Sequence, residues 1–353
     1  MGIQSCGSFI CAGGYRGYNI CVMEMGKLPK DLLVRLLSHT QENLNVIIGP
    51  AYGEDAAAVL LTREVLVAAS DPITFATDQI GWYAVTVNAN DIAVAGAIPK
   101  YFLATILLPT TSTEKEAADV FTQITVACDR LKISLIGGHT EITDAVTRIV
   151  VSGVMFGETD RDNMITTSGA QVGDDVLLIG SIAIEGTALL AIEATRELKK
   201  AGVDDHTIER AAGFLKDPGI CVVSYARAVA DCSGVHSMHD PTEGGIASAL
   251  QEVAYASGCG IIIDRESIPI LDECRLFCKS LNMDPLGLIA SGSLLLTCDP
   301  YSTNDIIEAL EAVSTSVVQI GTVTENPEVV FSDGSLFPEF KRDEIARYFG
   351  QKG

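Results

Sequence analysis

The stretch TVNANDIAVAGAIPKY (residues 86–101) sets one carboxylate, Asp91, among isoleucine, alanine, valine and glycine. Its spacing predicts a helix over about 79–97, followed by a strand. A lone charge in an apolar interior costs several kcal/mol unless it is paired or coordinated. Asp91 therefore needs either a partner or a bound cation. A mid-helix Asp also loses helix propensity, so plain turn or capping duty accounts for it poorly.

Two more acids lie N-terminal to it, at the edges of apolar segments: Asp55 in GEDAAAVL and Asp71 in AASDPIT. Asp71 precedes Pro72, so turn duty explains it as well as function does. Converging carboxylates suit Mg²⁺, which takes one or two of them, keeps waters and completes its shell with substrate phosphates. On the C-terminal side, LIGGHTEIT places His139 and Glu141 at i, i+2. In an extended segment these share a face, open to acid/base chemistry, to a metal or to a structural His–carboxylate pair. HDPTEGGI precedes another helix, which Asp240 and Thr242 are placed to cap. Gly244 and Gly245 would let an anion approach that helix start. No Walker A lysine and no GxSxG elbow is present.

The charge balance narrows the function classes. Against 24 basic residues stand 46 acidic ones, a net charge of −22, with no Lys/Arg block. That excludes a nucleic-acid footprint. No apolar run approaches the roughly 18 residues of a membrane helix. The ten cysteines form no CxxC pair. Cys128 and Cys259 lie in apolar stretches and read as small core residues, which suits a reducing cytoplasm. Cys274 and Cys278, at i, i+4 on an expected helix, lack the further ligands a zinc site wants. Residues 1–24 read as a peripheral extension and make a poor signal peptide.

Strands are expected at NVIIGP, AAAVLL, VLVAAS, YFLATILLP, ISLIG and TRIVVSGVMFGE in the first half. A helix with the capping box Thr113…Glu116 lies among them. The polar, glycine-containing segment 158–173 separates domains at 25–160 and 173–340. Beyond it, DVLLIGS is a strand and IEGTALLAIEATRELKKAG one helix closed by Gly202. Strands and helices mix without a regular βαβ rhythm, which predicts an α+β fold.

These motifs, taken in order, resemble the AIR synthase (PurM)-like superfamily. It includes thiamine-monophosphate kinase, selenophosphate synthetase and the hydrogenase maturation factor HypE, and the likeness is strongest to the HypE family. It rests on GEDAAAV, ANDIAVAGAIPKY, GGHTEIT, HDPTEGGIASALQEVAYASGCGI and LNMDPLGLIASGSLLLTC. The resemblance implies an N-terminal domain that dimerises through its sheet, a C-terminal α+β domain, and ATP with Mg²⁺ in the cleft between them. It assigns Asp55, Asp71 and Asp91 to the metal, and Asp240, Thr242, Gly244 and Gly245 to the phosphate side. Asn88 or Asn90 would orient Asp91, Asn90 also lies on the cofactor side, and His139 and Glu141 are candidates for the chemistry. The expected activity is ATP-dependent activation of a small molecule's oxygen by phosphoryl transfer. A thiamine-phosphate or selenophosphate type of enzyme, or a nucleotide-binding protein without turnover, stands as the alternative. Two departures stand out. His139 occupies the family's acidic position, and the chain ends in EIARYFGQKG where HypE proteins end in Pro-Arg-Ile-Cys. The expected acceptor is accordingly a free small molecule or a partner's thiol, and Ile345, Tyr348 and Phe349 suggest a docked amphipathic helix.

Overall fold

The computed structural model describes residues 25–51, 56–74, 79–313 and 315–350. Asp55 and the extension 1–24 lie outside the described residues.

The N-terminal half contains β1 (Gly26–Lys27), α1 (Lys30–Leu37), β2 (Val46–Ile48), β3 (Ala58–Val59), β4 (Val65–Ala69) and β5 (Pro72–Ile73). It continues with α2 (Ile80–Val94), β6 (Ile98–Pro109), α3 (Glu114–Leu131), β7 (Ser134–Thr143) and β8 (Val150–Thr159). Its main sheet has the order β1–β7–β6–β8–β4, with β5 also on β8. β6 and β7 run parallel, while β8 is antiparallel to β6. The capping box at Thr113 and Glu116 is present, with both reciprocal hydrogen bonds.

α2 is buried on nearly every side, from Ile80 to Ala93. One flank lies on β6 and β8, another on α3, and a third on the C-terminal half. A helix enclosed in this way needs no polar stripe, so its sequence shows little amphipathic period. Gly157 on β8 makes the close approach possible: a Cβ there would come within 2.2 Å of Ile92 Cγ2.

The C-terminal half comprises β9 (Asp175–Ile179), α4 (Ile184–Glu193), α5 (Thr195–Lys200), α6 (Asp205–Ala212), α7 (Val223–Val229) and β10 (Val235–His239). There follow α8 (Gly245–Ser257), β11 (Gly260–Ile263), α9 (Asp272–Leu281), β12 (Leu294–Cys298), α10 (Thr303–Glu311), β13 (Val317–Thr324), β14 (Val329–Phe331) and α11 (Glu344–Gly350). Their sheet runs β10–β12–β9–β13–β11–β14. The fold is α+β, as the element pattern predicts. The helix expected across 184–202 is broken in two at Ala194, where Thr195 turns its hydroxyl back on the Ala191 carbonyl. Side-chain competition of this kind bends helices.

The two sheets differ in cover. Leu177, Ile179, Leu294 and Leu296 pack on one side of the second sheet, while Val176, Leu178 and Leu295 join the main core on the other. Such two-sided burial explains the unbroken apolar runs DVLLI and LLLTC. Among the described residues, the first sheet carries helices on one face only. Its other face presents half-buried Leu103, Leu107, Val154 and Phe156, with Leu66 46% exposed. α11 docks on the body as expected, with Ile345, Tyr348 and Phe349 against the core.

Candidate active site

The seam between the halves is stitched by Asn90. Its Nδ2 donates to the Ile220 carbonyl at 2.8 Å, and its Oδ1 accepts from the Val222 amide at 2.9 Å. Asn90, expected on the cofactor side, joins α2 to the second half, with both ends of its amide engaged by backbone. Asn88, two residues earlier and on nearly the opposite face of α2, accepts from the Asp71 amide at 2.8 Å and donates to the Asp71 carbonyl at 3.3 Å. It orients Asp71, not Asp91.

Asp71, Asp91 and Asp240 meet beside this stitch. Burial, then the charges of Asp240 and Asp71, and a hydrogen bond with Asp71, push the Asp91 carboxyl up to about 8. Asp240, 5% exposed, is pushed up to about 7, chiefly by burial, with His239 opposing and Asp71 and Glu252 adding. One Asp240 oxygen, Oδ2, is buried with no hydrogen-bond partner. Mutually repelling carboxylates with an orphaned oxygen suit a divalent cation, which would supply the missing positive charge. Among the described residues no group of three or more His, Cys, Asp or Glu is arranged to hold a metal alone.

His139 and Glu141 lie elsewhere. Their side chains are 3.8 Å apart and roughly half exposed. They alternate with buried Thr140 and Ile142, so they occupy the open face of the first sheet, away from α2. No described hydrogen bond or ion pair joins them to the three acids.

The loop 240–245 also differs from expectation. Neither Asp240 nor Thr242 caps α8, whose N-cap is Gly244 without a side-chain cap bond. The Thr242 carbonyl accepts the amides of Gly245 at 3.0 Å and Ala290 at 3.1 Å. Asp343 takes the capping place from a distant part of the chain: its Oδ2 accepts from the Gly244 amide and its Oδ1 from the Ile345 amide, both at 2.8 Å. Sequence reading missed Asp343 because the contact spans 99 residues. It also missed Glu185, on the first turn of α4, which is 2% exposed. The signal for Glu185 was the one used for Asp91, an acid alone among apolar residues in SIAIEGTALL. Cys274 and Cys278 bring their sulfurs to 4.0 Å, both buried, without further ligands among the described residues.

Among the described residues, no helix is long and apolar enough to cross a membrane. A putative hydrogenase expression/formation protein of Methanocaldococcus jannaschii is 28% identical over 291 residues, 81% of this chain and 83% of that protein. The carbamoyl dehydratase HypE of Cupriavidus necator is also 28% identical, over 78% of each chain. A crystal structure of the hydrogenase maturation protein HypE in complex with ATP superposes with a TM-score of 0.72 at 21% identity, covering 89% of this chain and 93% of that one. The profile described as AIR synthase related protein, N-terminal domain, matches residues 53–159, and its C-terminal counterpart matches 171–334. With its two halves folded around a carboxylate-lined seam, this chain belongs to the AIR synthase related family.

Proposed function

We propose that this protein is an ATP-dependent enzyme that activates an oxygen atom of a small molecule by phosphoryl transfer with Mg²⁺. The observation that carries the reading is the meeting of Asp71, Asp91 and Asp240 beside the glycine start of α8. Support comes from a family whose relatives include a carbamoyl dehydratase and an ATP-bound HypE. Phosphoryl transfer requires little covalent chemistry from a protein, so positioning and electrostatics suffice.

Asp71 and Asp91 hold the cation, with Asp55 as the third acid proposed on resemblance. Bound there, Mg²⁺ would offset charge on the transferring phosphate. Asn88 fixes the Asp71 backbone through two hydrogen bonds. Gly244 and Gly245 give their amides to Asp343 and the Thr242 carbonyl, and the amides that follow in the first turn of α8 lack intrahelical partners and favour phosphate oxygens. Asn90 keeps the walls of the seam in register. Purified protein, Mg-ATP and a metabolite panel followed by ³¹P NMR test the reading. ADP together with a phosphorylated or dehydrated product is expected, while absence of nucleotide binding at millimolar ATP would overturn it.

The open face of the first sheet is the proposed homodimer surface. Its half-buried Leu103, Val154 and Phe156 need cover that the described residues do not supply. Light scattering should find a dimer at micromolar concentration, and Leu103→Arg should shift it to monomer by at least tenfold in Kd. A wild-type monomer at that concentration would defeat the assignment.

A further inference from the structure

Glu185 is a buried acid that none of the roles above uses. It sits in the first turn of α4 and is 2% exposed. Ser291, in the loop before β12, hydrogen-bonds to its carboxylate. Its Oε2 is buried without a hydrogen-bond partner. A buried carboxylate oxygen left unpartnered costs about 1–3 kcal/mol or more, so a purely structural glutamate there is a poor solution.

Its surroundings place it on the seam. From α2 of the N-terminal half, the Tyr83 phenol senses the Glu185 charge, which together with burial raises its pKa. From the segment before α11, Asp343 adds negative charge, and the same Asp343 accepts from the Gly244 amide at the α8 start. Gly292, next to Ser291, lies so close to the 219–220 segment that a Cβ would meet the Gly219 carbonyl at 2.6 Å. That segment is the one Asn90 grips through Ile220. Glu185 is thus connected on one side to the α8 glycines and on the other to the stitch beside Asp91, without joining the cation-side acids.

We propose that Glu185 is the proton-accepting residue of this site, taking the proton from the acceptor's hydroxyl or from water as its oxygen attacks the terminal phosphate. The assignment rests on the phosphoryl-transfer reading above. In the step, the acceptor O–H bond breaks and its proton passes to Oε2. A bond forms between the acceptor oxygen and phosphorus. The bond from phosphorus to the bridging oxygen of ADP breaks, and ADP leaves with the electron pair. No oxidant or further reactant is needed.

Burial and two neighbouring groups set the basicity. Burial raises the carboxyl most, the Ser291 hydrogen bond lowers it, and the Asp343 charge raises it, to about 7. A base poised near the working pH combines a useful ionised fraction with real proton affinity.

The test uses Mg-ATP with water as acceptor, in wild type and Glu185→Gln. Wild-type turnover should rise with pH through a midpoint near 7. In Glu185→Gln that limb should vanish and kcat should fall by about 10²–10⁴-fold, the usual span for a general base. Mg-ATP affinity should change by less than about tenfold, because the side chain lies outside the cation cluster and couples to the nucleotide only through its charge. Turnover within threefold of wild type with the pH limb intact would overturn the proposal. A second measurement does not depend on turnover: ¹³C NMR of the Glu185 carboxyl, assigned by its loss in Glu185→Gln. Its titration midpoint should move by at least half a pH unit when Mg²⁺ and a non-hydrolysable ATP analogue bind. An unmoved midpoint would remove Glu185 from the site. Wild type that binds ATP but never turns it over would instead sink the phosphoryl-transfer reading, leaving the NMR result to judge where Glu185 sits.

Discussion

Asp91→Asn is expected to weaken Mg-ATP binding by more than tenfold, about 1.4 kcal/mol, while making the nucleotide-free protein more stable. Both effects have one origin. In the folded state the Asp91 carboxyl is raised to about 8 by burial and by Asp240 and Asp71. In the unfolded chain it titrates near 3.9. Between those values the folded state binds more protons than the unfolded state, so stability falls as pH rises. Stability attributable to this group is greatest below about pH 4 and is lost on ionisation toward pH 8. Asparagine keeps the shape and removes the titration. Thermal unfolding without Mg²⁺ should therefore fall more steeply from pH 5 to pH 8 in wild type than in Asp91→Asn. Calorimetry provides the matching affinities. Equal ATP affinities, or parallel pH slopes, would break the account.

Gly245→Ala should be among the most damaging single substitutions in the chain, costing more than about 3 kcal/mol. Gly245 opens α8 with φ +65°, where a Cβ would meet the Leu286 and Leu288 carbonyl oxygens at 2.6 Å each. Both obstacles are backbone and cannot swing aside. The left-handed conformation alone costs a non-glycine residue about 1–2 kcal/mol. Gly202→Ala is the control: φ there is +89°, but the space around it is open. It should cost only the conformational term, about 1–2 kcal/mol. Urea unfolding of the two variants separates the steric part from the conformational part. If Gly245→Ala costs no more than Gly202→Ala, the packing of the 240–245 loop on 286–288 is not what holds the helix start.

The site was legible wherever a residue conflicted with its own neighbourhood. Asp91 announced itself because a charge in NDIAVAG has no local explanation. Glu185 carries the same signature in AIEGTAL, where no recognisable motif accompanies it. His139 and Glu141 share a face of β7, as their spacing requires, but spacing says nothing about which side of the sheet that face is. Helix α2 blocks the other side, and its placement depends on contacts far along the chain. Asn90 likewise reads as a cofactor ligand next to Asp91, yet its partners are 130 and 132 residues away.

By itself the sequence determined the element types, the mixed α+β class, the capping box of α3 and the presence of buried carboxylates. Each of these depends on local spacing, on propensity or on the cost of burying a charge, and all three act within a few residues. Tertiary structure alone decided which acids meet. It brought Asp71, Asp91 and Asp240 to one seam, sent His139 and Glu141 to the open face, and gave the Gly244 amide to Asp343. The reason is physical: an electrostatic partnership depends on distance through space. Here that distance is set by α2 packing between two halves whose contacting residues lie more than a hundred positions apart.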